Sequence, residues 1–228
     1  MLVSVVPTIV VGFISFVSLT DLGVELADET AEALLSDAKT QLREIVDDNG
    51  KLIGLSTNQL DMAVRVQQIA AENALGLQNP AQHKTYTLAN FDNPNTAPPD
   101  LQTLPMFDCR LLDGTIIECP VSYDTQAIIR AVGVADDVAL LQANQLQTMN
   151  STYKALSMAP GIPAAQYFTG TVDGMGGIFP GHGMMPDGYD PREREWYKLA
   201  LESNGDVVHT LPEVDASTLR FAVASVAP

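Results

Sequence analysis

The chain has 228 residues, room for one medium domain, or for one domain with a long helical stalk, and it is too long to be a peptide that needs a metal or a disulfide ladder to fold. Its 28 acidic and 12 basic residues give a formal net charge of −16, a field that repels phosphate backbones and excludes nucleic acid as a partner. Only 18% of the residues are charged against 46% hydrophobic, and the imbalance is concentrated at the start.

Residues 2–20 carry no charge, and twelve of these nineteen positions are Leu, Val, Ile or Phe, interrupted by Pro7 and Gly12. As a helix they would cover roughly 28 Å, close to the hydrocarbon thickness of a bilayer. A transmembrane helix over residues 1–20 is the expectation; a buried core element and a cleaved signal peptide are the alternatives, the latter lacking a basic flank and a small-residue cleavage site. Asp21, Glu25, Asp28, Glu29 and Glu32 follow with no Lys or Arg among them, which suits the outer face of a membrane. The rest of the chain is therefore expected on the periplasmic or extracellular side, held to the cell membrane by its first helix. The apolar run over residues 224–228 reads as a strand inside a longer protein, so a fragment is expected.

Residues 25–77 contain no proline and are rich in Ala, Leu, Glu and Gln, which predicts a long stalk helix over residues 21–78. Leu35, Ala38, Leu42, Ile45, Asn49, Leu52, Ser56, Gln59, Ala63, Val66, Ala70 and Asn73 recur at heptad-like spacing, with a bend or break expected near Gly50 and Gly54. Leu35, Leu42, Ile45 and Leu52 need cover, and a second copy of the chain, a homodimer, would supply it.

Residues 79–105 shift to Asn, Pro, Thr and Asp and read as loop. Asp113-Gly114 between two short apolar runs predicts a hairpin. Cys109 and Cys119 fall on its two arms, so a disulfide is expected, with two reduced buried cysteines as the alternative; no histidine stands near to make a metal site. Residues 124–158 read as helix, with Ile128, Ile129, Val132, Val138, Leu141 and Leu146 apolar and a turn near Gly133, and Pro160 ends it. Strands are expected around residues 166–172, 177–179, 207–210 and 219–226. The class is α+β: a long N-terminal helix followed by a domain with a central antiparallel sheet.

The most informative stretch is Gly188-Tyr189-Asp190-Pro191-Arg192-Glu193-Arg194-Glu195-Trp196-Tyr197, followed by Leu211-Pro212-Glu213-Val214-Asp215-Ala216-Ser217-Thr218. It resembles the extracytoplasmic double Cache sensor domain of bacterial chemoreceptors, sensor kinases, cyclases and phosphatases, and similar segments occur in a calcium-channel auxiliary subunit. The resemblance implies a membrane-distal, PAS-like module over residues 79–228, without its last strands, hung on the long helix. It also implies a pocket for a small molecule such as an amino acid or amine, and carried over residue by residue the pocket falls on Tyr189, Arg194, Trp196, Tyr197, Glu213 and Asp215. The family has a tyrosine where this chain has Glu213.

The chemistry of these residues is consistent with binding. A guanidinium fork matches a carboxylate, Trp196 and Tyr197 supply rigid walls, and Asp215 with Glu213 could neutralise an ammonium. The competing reading is structural: Arg192 and Arg194 paired with neighbouring carboxylates, Trp196 in the core. Asp190-Pro191 is expected to cap a helix over residues 192–201. His83, His182 and His209 are too scattered for a metal triad, His182 reads as a loop residue, and no nucleophile has a base partner. No catalytic, metal or cofactor site is expected. A structural or protein-interaction module is the alternative to a sensor.

Overall fold

A computed structural model describes residues 5–162 and 164–228, with side chains from Asp21 onward among the N-terminal residues. Helix α1, Val5–Leu75, forms because nothing after Pro7 interrupts it before residue 80. Gly50 and Gly54 lower helix propensity by about 1 kcal/mol each relative to alanine, yet the helix runs through both, so the expected break does not occur. Local pairs support it, among them Lys51 on Asp48 at 3.0 Å and Gln41 donating to Asp37 at 2.9 Å. The polypeptide divides into two compact units, one reaching to Leu55 and the other Ser56–Pro228. In the first unit every side chain from Asp21 to Leu55 is exposed, Leu35, Leu42, Ile45 and Leu52 included.

The expected membrane span, residues 2–20, lies outside the residues whose side chains are described. Among the described residues no helix is long and apolar enough to cross a membrane. The assignment of the chain after residue 21 to the outer side of a cell membrane is corrected accordingly: from Asp21 on, acidic side chains recur along the described part of α1 and interrupt its apolar runs.

In the second unit α1 is followed by β1 (Tyr86–Thr87), α2 (Leu88–Phe91), β2 (Cys109–Arg110), β3 (Ile116–Ile117), β4 (Val121–Ser122) and β5 (Ala127–Arg130). Helices α3 (Asp136–Gln147) and α4 (Asn150–Ser157) precede β6 (Tyr167–Gly170), β7 (Met175–Phe179) and β8 (Gly181–His182). A 3-10 turn, Pro191–Glu193, leads to α5 (Glu195–Glu202), then β9 (Val208–His209), β10 (Glu213–Val214), β11 (Phe221–Ala222) and β12 (Ser225–Val226). The class is α+β, as expected.

The main sheet has the order β1-β5-β7-β6. Its β5–β7 and β6–β7 pairs are antiparallel, while β1 lies parallel to β5 with Tyr86 opposite Ala127. All five residues of β7 are buried, so this central strand shows no polar alternation. On β5 the faces alternate. Ile128 joins Leu146, Ala143 and Met175 beneath α3, whereas Ala127 and Ile129 join Tyr86, Phe91 and Ile178 on the other face. A third cluster sets Ala63 and Ala74 of α1 against Tyr153, Met149, Leu156, Tyr167 and Phe179; two alanines let the helix backbone approach these large rings.

The single helix expected over residues 124–158 is instead a strand and two helices. Ile128 and Ile129 are strand residues, because a short apolar run can serve either structure and β7 offers it hydrogen bonds. Gly133, at φ 89°, then turns the chain before α3. The hairpin forms as expected around Asp113-Gly114, with Gly114 at φ 87° and Thr115 N donating to Asp113 Oδ1 at 2.9 Å. The strand expected over residues 219–226 is two short elements, β11 pairing with β10 and β12 with β9.

Cys109 and Cys119 do not form the expected disulfide; both are buried free thiols. The hairpin register is the reason. Cys109 faces Ile117, two residues short of Cys119, which packs instead with Phe107 and Val121. Burial, reinforced by Asp92 and the other thiol, pushes the Cys119 thiol up to about 12. His182 is not in a loop: it lies fully buried on β8, paired with Val121 of β4.

Candidate functional site

Asp190 organises the approach to the site. Its Oδ1 accepts from Arg192 N at 2.9 Å and caps the 3-10 turn, and its Oδ2 holds Arg192 Nη2 at 2.6 Å. Arg192 is thereby committed to Asp190, as the structural reading expects. The predicted helix over residues 192–201 is split, since Arg194 between the turn and α5 is extended at φ −80°, ψ 146°. That break aims Arg194 across to β10, where its Nη2 donates to Val214 O at 3.0 Å and lies 3.5 Å from Glu213 Oε2. Its Nε is buried with no hydrogen-bond partner.

On β10, Glu213 points inward and Val214 outward. Asp215 begins a tight turn: its Oδ1 accepts from Ser217 N and Oγ, at 3.1 and 2.7 Å, and from Thr218 N and Oγ1, both at 2.7 Å. Burial, the largest single influence, acts to raise this carboxyl. The hydrogen bonds from Thr218 and Ser217 together outweigh it and hold Asp215 below the usual carboxylate range. A carboxyl depressed in the folded chain contributes stability above its unfolded value, about 4, and loses it as pH falls through the folded value. Asp215→Ala is expected to lower stability at pH 7 by about 1–3 kcal/mol and to make the acid-side decline shallower; urea denaturation at pH 7 and pH 3 measures both.

Tyr189 is the meeting point. It packs beside Tyr86, Phe91, Ile129 and Ile178, and burial pushes its phenol up against the opposing influences of the Arg194 charge and a hydrogen bond from the Trp196 side chain. The Asp215 and Glu213 charges act in the same upward direction as burial. Trp196 lies tilted on Phe168 with ring centroids 4.8 Å apart. Tyr197 is buried against Gly170 of β6, with Arg192, Asp190 and Asp173 as its charged neighbours. Trp196 reaches the same glycine and meets the Tyr197 ring edge-on, with centroids 5.8 Å apart.

The sequence reading missed a groove of about 390 Å³ beside the Asp215 turn, lined by Asp92, Cys109, Met184, Met185, Pro186, Ala216, Ser217 and Leu219. It touches none of the six expected residues. Its walls come from four separate segments, and its local signals, Met184 at φ 63° and Leu219 at φ 56°, are backbone features that residue types do not announce. Among the described residues, no group of three His, Cys, Asp or Glu side chains could hold a metal.

No family model matches the chain. A 34-residue stretch is 53% identical to a probable methyl-accepting chemotaxis protein of Bacillus thuringiensis subsp. konkukian (strain 97-27), covering 15% of this chain and 5% of that protein. A 33-residue stretch is 52% identical to the methyl-accepting chemotaxis protein McpB of Bacillus subtilis (strain 168), covering 14% and 5%. Each match spans only about one-twentieth of the relative's length.

Proposed function

We propose that the chain is the small-molecule-sensing part of a signal-transduction receptor, built as a double Cache module, and that it takes an amino acid or amine among Tyr189, Arg194, Trp196, Glu213 and Asp215. The observation that carries the reading is that Arg194, extended ahead of α5, reaches across to β10, where it donates to Val214 O at 3.0 Å and lies 3.5 Å from Glu213 Oε2, so a cation and the acidic 213–215 segment meet from two separate parts of the sequence. Glu213 Oε1 and Asp215 Oδ2 accept no hydrogen bond from the described residues, leaving two acceptors for an ammonium. A ligand held between the start of α5 and β10 would favour one packing of these elements over another, and that population shift is the signal. The short similarity to chemotaxis proteins supports the receptor part of the reading.

Thermal-shift measurement on the chain with amino acids, primary amines and small carboxylates tests it. At least one of the first two classes is expected to raise the melting temperature saturably, and Tyr189→Ala to remove the rise. If no class shifts the wild-type protein, the sensing assignment fails.

A second reading, a structural or protein-interaction module, has its own support. Arg194 and Glu213 face one another, and Asp215 Oδ1 is engaged in its own turn. Under it Tyr189→Ala changes stability alone, with no ligand shift to lose.

A further inference from the structure

The site carries its own carboxylate beside its arginine, Glu213 Oε2 lying 3.5 Å from Arg194 Nη2. A carboxylate is clamped by arginine through two parallel N–H bonds, and both edges that offer such a pair include Nη2. In Arg194 that nitrogen already donates to Val214 O at 3.0 Å and faces Glu213 Oε2 at 3.5 Å, while Nε is sealed from solvent. The Arg194 and Glu213 side chains are 31% and 21% exposed, so the pair is partly withdrawn from water and is screened less than a surface ion pair. A ligand carboxylate would have to displace Glu213 and leave it without its partner. An ammonium meets the opposite situation. Arg194 and Glu213 cancel in formal charge, Asp215 adds one negative charge, and Glu213 Oε1 and Asp215 Oδ2 remain open as acceptors.

We infer that Glu213 is the specificity-determining residue of this site: its carboxylate stands against Arg194 Nη2, the nitrogen shared by both carboxylate-binding edges, so the site takes a cationic amine in preference to the α-amino acid of the same side chain. The inference rests on the sensing reading and narrows it.

Calorimetric titration of the chain with two matched pairs, tyramine with tyrosine and putrescine with ornithine, tests it on the wild type, Glu213→Gln and Glu213→Asp. In the wild type, at least one pair is expected to show the amine bound about tenfold more tightly or better, the order of effect of one charge-assisted contact. Glu213→Gln, which removes the charge while Nη2 keeps its bond to Val214 O, is expected to reduce that ratio by about tenfold or more. Glu213→Asp keeps the charge and is expected to keep the preference. Preference for the amino acid in the wild type, or an unchanged ratio in Glu213→Gln, overturns this inference and leaves the sensing reading standing. Absence of binding by both members of both pairs in all three proteins overturns the inference and counts against the sensing reading as well.

Discussion

Tyr153→Ala is expected to lower the stability of the second unit by about 3–5 kcal/mol, the range for removing a large aromatic ring from a packed core. Tyr153 is fully buried. Its ring stacks on Phe179 with centroids 5.6 Å apart and lies tilted on Tyr167 at 6.0 Å. The same cluster receives Ala63 and Ala74 of α1, so the loss falls where the long helix joins the sheet domain. The hydroxyl is 2.5 Å from Thr169 Oγ1, and Tyr153→Phe, which keeps the ring, should cost only about 1 kcal/mol. Urea denaturation followed by circular dichroism separates the two. An alanine variant within about 1 kcal/mol of wild type would mean the ring is not packed as described.

Gly181→Ala should be the next most damaging single change, with a loss of about 1–3 kcal/mol or more from overpacking. A Cβ at Gly181 would stand 2.5 Å from Thr125 O, 2.6 Å from Phe91 Cζ and 2.9 Å from Ala127 N. Two of these atoms are backbone, held by the β5 pairing and by Gly181 N donating to Thr125 O at 3.1 Å, so they cannot swing aside as a side-chain tip would. The strand concerned, β8, leads through Gly183 and Met184 to Tyr189, and displacing it should loosen the candidate site too. The same denaturation experiment measures the loss; a variant as stable as wild type contradicts the close approach.

These two positions also show what residue types disclose and what they withhold. The long helix was legible because fifty proline-free residues rich in helix formers leave no other option; Gly50 and Gly54 misled, since two unfavourable residues are outweighed by many favourable neighbours. Ile128 and Ile129 were read as helical because the partner that makes them strand, the glycine-bearing β7, lies far along the chain. Asp113-Gly114 revealed a hairpin but not its register, and a register that sets Cys109 against Ile117 separates two cysteines that symmetry about the turn would join. At the site, the motif made Tyr189, Arg194, Glu213 and Asp215 readable as candidates. Tyr197's packing against Gly170 was not readable, because it depends on where α5 begins. Nor was the Arg194–Glu213 contact, which exists only because an extended Arg194 reaches β10.

Trp196 is the one tryptophan in the sequence and stands inside the proposed site, so intrinsic fluorescence reports that site alone. Titration with tyrosine-free probes, putrescine first and ornithine second, is expected to give a saturable change in Trp196 emission that Tyr189→Ala abolishes. Emission that stays constant for amines and amino acids alike, in a chain shown to be folded by circular dichroism, would contradict ligand binding among Tyr189, Arg194, Glu213 and Asp215.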